Sequence, residues 1–243
     1  MRKFGLVGKQ LGHSFSKAFF TEKFEREGIS AVYENVEIPE INVIKDVLAT
    51  GSFDGLNVTI PYKEAVIPYL DELSAEAKAI GAVNVIAFRD GKTIGHNTDA
   101  FGFHQSIKPF LTNRHERALI LGTGGASKAV AYVFESIGLD VIYVSRTPQG
   151  PKQFSYSDIN EHMLNACKVI VQCTPVGTFP NVHESVPFPF RYLTEEHLVI
   201  DLIYNPEQTQ FLADSAAAGA TILNGLSMLK EQANKAWQIW VQK

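Results

Sequence analysis

The chain is poor in the features that mark several large classes of protein. Its 243 residues include two cysteines, Cys167 and Cys173. That is too few for a disulfide framework, and the spacing is not that of a Cys-x-x-Cys metal or redox pair. They read as buried thiols of a reducing compartment. The histidines show no metal-ligand spacing; His13 and His96 read as loop or core residues, and no metal is expected. There is no basic excess: 22 Lys and Arg stand against 26 Asp and Glu, a formal net charge of −4. Without a basic stretch, nucleic acid and anionic membrane are poor partners. No apolar run has the length of a membrane span. Met1-Arg2-Lys3 leads into Phe4-Gly5-Leu6-Val7-Gly8-Lys9-Gln10 with no continuous apolar stretch, so no signal peptide is read and a cytoplasmic location is expected. No internal repeat or low-complexity tract is present.

What is there is a hydrophobic content of 45%, ample for one large domain or two modest ones. Short β-branched runs alternate with amphipathic stretches, the α/β pattern. Strands are expected at 4–7, 32–38 and 56–60, the last broken by Pro61. Helices are expected from Ser16 to Gly28 and over 43–48. Residues 83–88 and 93–95, joined by Asp90-Gly91, read as a hairpin. The pattern then restarts. A strand at 118–121, a glycine turn, a helix at 126–137 and a strand at 141–144 follow in order, with further strands at 169–171, 198–202 and 220–223. Residues 179–189 carry three prolines and read as a loop. Residues 226–240 read as one amphipathic helix. Residues between Thr98 and Arg117 join two halves, so the chain divides into a first α/β domain and a second, nucleotide-binding one.

The second half carries Leu121-Gly122-Thr123-Gly124-Gly125-Ala126-Ser127 between strand and helix. Glycine permits positive φ and close backbone approach to a pyrophosphate, and the helix start offers unpaired N–H groups to phosphate. Ser127 stands where the third glycine is usual. The next strand ends at Val144 and is followed by Ser145-Arg146-Thr147. An NAD site usually places an acid here for the ribose 2′-hydroxyl. None is present, since Asp140 sits at the other end of the strand. Arg146 can instead pair with a 2′-phosphate; its ordinary alternative is a solvated loop arginine. Thr147 and Lys152 are weaker candidates for the same phosphate.

In the first half, Ser14 and Ser16 alternate, and on an extended segment they point the same way. Two hydroxyls near a helix start can bind a carboxylate. Periodicity alone favours the plainer role, with Ser16 as the helix cap. Asn57, Thr59 and Pro61 share one side of a strand, and Lys63 opens the next helix. A cation in a first helical turn opposes the macrodipole, so helix stability does not explain Lys63. Asp99 closes Asn97-Thr98-Asp99, where it reads either as a turn or cap residue or, with Lys63, as half of a proton-transfer pair beside a dinucleotide loop.

These segments resemble the shikimate dehydrogenase family. The resemblance rests on Ser14-Phe15-Ser16, Asn57-Val58-Thr59-Ile60-Pro61-Tyr62-Lys63, Gly81-Ala82-Val83-Asn84 and Asn97-Thr98-Asp99 with Gly102, in the family's order. It continues through Gly122 to Ala126, Ser145-Arg146-Thr147, Cys173-Thr174-Pro175-Val176-Gly177, Asp201 to Pro206, and Gly225-Leu226-Ser227-Met228-Leu229 with Gln232. It covers nearly the whole chain. It implies an N-terminal α/β substrate domain, residues 1–99 with 225–243, and a Rossmann-like NADP-binding domain, residues 100–224, the last helix returning to the first domain. The implied activity is NADP-dependent, reversible reduction of 3-dehydroshikimate to shikimate, a step toward aromatic amino acids. Lys63 and Asp99 are then the catalytic pair, with Lys63 favoured as proton carrier. Ser14 and Ser16 hold the carboxylate; Thr59, Asn84 and Gln232 hold ring hydroxyls, with Tyr204 nearby. Gly122, Gly124, Gly125, Ala126, Ser145, Arg146, Thr147, Thr174 and Gly225 fall to NADP. The family often has Asn where Ser145 stands, and a longer chain. A quinate/shikimate dehydrogenase using NAD, a related reductase on another ring acid and an NADP-binding regulatory module without turnover are the alternatives. The intact Lys63 and Asp99 argue against the last. The protein is expected to act as a monomer or homodimer.

Overall fold

Two six-stranded sheets organise the chain, each inside its own compact unit. The computed structural model describes residues 1–12 and 14–242; His13, read above as a loop or core residue, lies outside the described residues, as does Lys243. One unit is Met1–Phe101 with Gln232–Lys243, the other Gly102–Glu231. Among the described residues, no helix is long and apolar enough to cross a membrane.

The first unit contains β1 (Arg2–Gly8), α1 (Phe15–Arg26), β2 (Ala31–Glu37), α2 (Ile44–Ala49), β3 (Gly55–Val58), α3 (Tyr62–Ala65), β4 (Glu72–Leu73), α4 (Ala75–Ile80), β5 (Val85–Arg89) and β6 (Lys92–His96), and α5 (Asp99–Ile107) begins in it. The strand order is β2-β1-β3-β5-β6-β4. β1 runs parallel to both β2 and β3, whereas β3–β5 and β5–β6 are antiparallel. The expected hairpin is therefore present. Its turn residues Asp90 and Gly91 have φ of 50° and 75°, the left-handed pair that suits a two-residue turn.

One sheet face packs α1 and the end of the last helix, α9 (Leu226–Val241). Phe20 and Phe24 of α1 stack with Phe4, Tyr33 and Trp240 in an aromatic core. Trp240 is 2% exposed, and its indole N–H donates to the Ile86 carbonyl at 3.1 Å. A Cβ on Gly55 would lie 2.4 Å from that indole, so the strand must be bare there for the helix to seat. Arg2 and Arg89 donate to the Trp240 and Ile239 carbonyls. They satisfy acceptors that a helix end leaves open, and they place positive charge at the negative end of its dipole. The other face is an aliphatic core around Val7, Ile44, Leu56, Val66 and Val83.

The second unit contains β7 (Arg117–Leu121), α6 (Gly125–Ser136), β8 (Asp140–Val144), β9 (Gln153–Phe154), α7 (Glu161–Ala166), β10 (Val169–Gln172), β11 (Leu198–Asp201), α8 (Gln210–Ala217) and β12 (Thr221–Leu223). The order is β12-β11-β10-β7-β8-β9, every pairing parallel. Renumbered from β7, this is the doubly wound dinucleotide-binding order, whose direction reverses between β7 and β10. The central strands are buried on both faces, hence their near-continuous apolar runs.

Several expectations shift in detail. β3 ends at Val58, so Thr59 and Pro61 lie beyond the ladder. Ser14 and Ser16 do not lie on an extended segment. Ser14 is the α1 cap, its hydroxyl accepting from the Lys17 N–H at 3.2 Å, and Ser16 sits in the first turn. Asp99 does not cap α5 either. Asn97 Oδ1 takes the Ala100 N–H at 3.2 Å. Of the two thiols, Cys167 is buried and Cys173 is only partly so.

Candidate active site

In the first unit a buried polar cluster grows from the ends of β3 and β6. α3 lifts Lys63 from the end of β3, and α5 begins at Asp99. The Lys63 ammonium meets Asp99 Oδ2 at 2.7 Å, with side-chain exposures of 17% and 7%. A pair this enclosed retains far more of its attraction than a surface pair. Asn84 organises the rest. Its amide Nδ2 lies 2.9 Å from Asp99 Oδ1, 2.9 Å from Thr98 Oγ1 and 3.3 Å from Gln232 Oε1. Its Oδ1 accepts the Thr98 N–H at 2.7 Å. Asp99 is thus held at both oxygens, by an ammonium on one and an amide on the other.

Asn84 is itself held from behind. Asn57 donates to the Asn84 carbonyl at 3.2 Å and accepts the Tyr33 hydroxyl proton at 2.7 Å. Complete burial pushes the Tyr33 hydroxyl well above the usual phenol range, while a bond with Ser16 opposes the shift. Asn97 ties the turn to the Ala82 carbonyl at 3.0 Å. Tyr33, Asn57 and Thr98 are the residues sequence reasoning left without a role here. Their signal is weak: Asn57 and Thr98 stand inside motifs already marked, and Tyr33 reads as one alternating strand residue. Thr59 is half-buried just past β3, its N–H donating to the Val7 carbonyl at 2.9 Å.

The second unit places the glycine turn at the carboxyl end of β7, where the strand order reverses. Gly122 has φ of 110°, and a Cβ there would come within 3.0 Å of Thr174 Cγ2. Thr174 follows β10, the strand across the reversal, so the two predicted cofactor residues line one crevice. Gly124 caps α6 without any side-chain bond to the helix, and a Cβ built on it would meet nothing within 4 Å. The first turn of α6 (Gly125, Ala126) therefore opens onto free space with backbone donors. That suits a pyrophosphate in both charge and shape. Ser127, in the third-glycine place, is buried and donates to the Gly124 carbonyl at 2.6 Å. Its small side chain closes the turn rather than blocking it.

Ser145 follows β8 and accepts the Thr147 N–H at 3.2 Å, leaving Arg146 and Thr147 exposed on the same loop. Lys152 is also exposed. Asp140 pairs with Arg117 at 3.3 Å at the start of the strand, away from this loop. Gly225 has a packing reason of its own: a Cβ there would fall 2.0 Å from the Leu202 carbonyl oxygen. Tyr204 belongs to this second unit and is half-buried. Nearby, burial lifts the Asp201 carboxyl to about 6, although the Ile203 N–H and the Thr209 hydroxyl both bond it. Among the described residues no group of His, Cys, Asp and Glu could hold a metal ion.

A parallel unit with an open glycine turn at its switch point, in one chain with a mixed unit carrying a buried lysine–aspartate pair, defines a two-unit α/β protein of the dinucleotide-binding class. The shikimate dehydrogenase substrate binding domain matches residues 6–86. Over 97% of its length the chain is 36% identical to the shikimate dehydrogenase (NADP(+)) of Desulforamulus reducens, covering 88% of that protein. The crystal structure of shikimate 5-dehydrogenase from Thermus thermophilus in complex with NADP(H) and shikimate is 33% identical, with a TM-score of 0.86 over 99% of this chain and 94% of that one. Quinate dehydrogenase from Corynebacterium glutamicum, in complex with NAD, is 28% identical with a TM-score of 0.87, over 99% and 93% of the two chains. The chain belongs to the shikimate dehydrogenase family.

Proposed function

We propose that the protein interconverts 3-dehydroshikimate and shikimate with NADP as its redox partner. The observation that carries the reading is the enclosed Lys63–Asp99 pair at 2.7 Å, steadied by Asn84, in a chain matched along nearly its full length by NADP-dependent shikimate dehydrogenases. The first unit holds the ring acid. Ser14 and Ser16 at the start of α1 take the carboxylate. Thr59, Asn84 and Gln232 take ring hydroxyls, and the family resemblance adds Tyr204 to the substrate residues.

Lys63 and Asp99 share the oxygen that changes oxidation state. In the reducing direction the Lys63 ammonium gives a proton to the carbonyl oxygen as negative charge develops there. Asp99, fixed by Asn84, keeps Nζ aimed and stabilises the ammonium. In the oxidising direction the same proton returns to Lys63. NADP, when bound, supplies or accepts the hydride. Gly122, Gly124, Gly125 and Ala126 would hold its pyrophosphate, Ser145, Arg146 and Thr147 its 2′-phosphate end, and Thr174 the facing side of the crevice. Gly225 supports that crevice through its close packing on Leu202.

The test is a four-way assay, shikimate and quinate each with NADP and NAD. Quinate adds a hydroxyl at the carbon that bears the carboxylate, where it would crowd Ser14 and Ser16. With NADP, kcat/KM for shikimate should exceed that for quinate by roughly a hundredfold. Comparable values on the two acids would move the chain to the quinate/shikimate type.

A further inference from the structure

The stretch between β1 and α1 leads to Ser14 and Ser16, and few of its described residues are held by the rest of the unit. Lys9, Gln10 and Gly12 are exposed. Leu11 is the exception, fixed on three sides. Its N–H donates to Glu37 Oε1 at 2.7 Å, and its carbonyl accepts from Asn35 Nδ2 at 2.9 Å. Its side chain is 6% exposed in the aromatic core. It also lies over Gly8, where a Cβ would come 2.5 Å from Leu11 Cδ2 and 2.8 Å from Thr59 Cγ2.

Glu37 and Asn35 are on β2, the strand whose Tyr33 already supports the site through Asn57 and Ser16. Both point toward the same backbone residue from i and i+2, on one side of the strand. Asn35 makes its bond at a cost: its Oδ1 is buried with no partner among the described residues. A buried, unsatisfied amide oxygen is unfavourable, so the residue is explained by its donor and not by its acceptor. Glu37 is exposed, where a carboxylate gains nothing from packing. Here it takes a backbone N–H in a charge-assisted bond.

We propose that Glu37 and Asn35 are positioning residues for substrate, clamping the Leu11 peptide so that Ser14 and Ser16 are presented in register to the substrate carboxylate. The inference rests on the function proposed above. The clamp acts on ground-state binding of one substrate. It touches neither the proton-transfer pair nor any cofactor residue.

The test is steady-state kinetics with shikimate and NADP, accompanied by thermal unfolding. Glu37→Ala should raise KM for shikimate roughly tenfold, with kcat and KM for NADP within about twofold of wild type. Glu37→Gln, whose amide oxygen still accepts the Leu11 N–H, should restore KM. Asn35→Asp, which keeps size but loses the donor, should behave like Glu37→Ala. Added to Ser14→Ala with Ser16→Ala, Glu37→Ala should raise KM little further, because the effect runs through the serines. An unchanged KM in Glu37→Ala overturns the proposal. So does a full additive loss in the combined variant, or a fall in kcat and a rise in both KM values together with early unfolding. Absence of shikimate turnover in the wild-type protein would instead overturn the proposed function, and is read before any variant is made.

Discussion

Around Asn84, in the first unit, the side chains are bonded to one another; around Gly122, in the second, the side-chain bonds of Ser127, Ser145 and Thr174 run to the backbone, and Arg146 and Thr147 are exposed. Lys63, Asp99, Asn84, Thr98 and Gln232 form a closed set of contacts. Their burial removes competing water, and each orients the next. At the glycine turn the bonds of Ser127 and Ser145 run to backbone atoms instead. Gly124 caps its helix without a side chain, and Arg146 and Thr147 project from an exposed loop. The contrast fits two different tasks. Moving a proton needs a donor fixed to a fraction of an ångström. Gripping a dinucleotide phosphate needs unpaired donors and room, and an arginine can close on its ligand afterwards.

The largest effect expected from this contrast falls on the closed cluster. Lys63→Ala and Asp99→Asn should each lower kcat by roughly a hundredfold or more, the scale of a general acid–base contribution. KM for NADP should move little. Asn84→Ala should fall in the same direction, since it frees Asp99 Oδ1. Turnover near wild type at saturating shikimate in either member of the pair would remove that residue from the chemistry and erase the difference between the two regions.

The sequence made much of this legible, for particular reasons. The parallel unit was readable because its central strands are buried on both faces and so appear as near-continuous apolar runs, the first of them closed by the glycine turn. Lys63 could be singled out because its expected place in a first helical turn has no stabilising explanation, although α3 proves to be a single turn, Tyr62–Ala65, where the dipole decides little. Three short helices, α4, α7 and α8, do not register in the periodicity, which needs about three turns to show. Their caps could have disclosed them: Ser74, Asn160 and Thr209 each accept an N–H three residues on. The caps of α1 and α5 are displaced from the expected residues for a related reason. Ser14 rather than Ser16, and Asn97 rather than Asp99, make the bond. Where polar residues stand two apart, only the chain's path decides which one turns back. Asn97 taking the cap leaves Asp99 free for Lys63, a division of labour that no spacing rule contains.

A smaller effect is expected at the open region. Arg146→Leu should weaken NADP by about 1–2 kcal/mol, less than a buried pair would give because the side chain is exposed and screened. NAD, lacking the 2′-phosphate, should be nearly unaffected. Titration of both cofactors against the variant, at two salt concentrations, measures this. Equal losses for the two would mean that Arg146 supports the loop and reads nothing.

The smallest effect concerns stability and is read in the second unit, at the end of its sheet remote from the glycine turn; burial lowers His96 of the first unit in the same direction, which the variant below leaves in place. Two similar turns lead into β7 and β11, Thr112-Asn113-Arg114-His115 and Thr194-Glu195-Glu196-His197. In each, the threonine N–H donates to the histidine Nδ1, at 3.1 and 2.9 Å. A ring that accepts at Nδ1 carries its proton on Nε2, and for His197 that atom lies 2.9 Å from the Leu164 carbonyl. A second proton would have to displace the threonine N–H. Burial accordingly lowers both histidines below their ordinary value near 6.5, with the Lys168 charge adding to the effect at His197 and bonds to backbone carbonyls opposing it. The unfolded chain then binds protons that the folded chain refuses. The stabilisation is complete above about 6.5 and is lost as pH falls from there through the lowered folded values. Asp201 works the other way: its folded value of about 6 lies above the unfolded one, so falling pH favours the fold as that carboxyl is protonated. The histidine contribution is therefore clearest between about pH 7.5 and 6, before Asp201 offsets it. Urea midpoints should decline across that interval in the wild-type protein. They should decline less in a variant carrying His115→Gln and His197→Gln, even though that variant starts from lower stability. A flat wild-type profile over the interval would show that both rings take up a proton without losing their threonine partners.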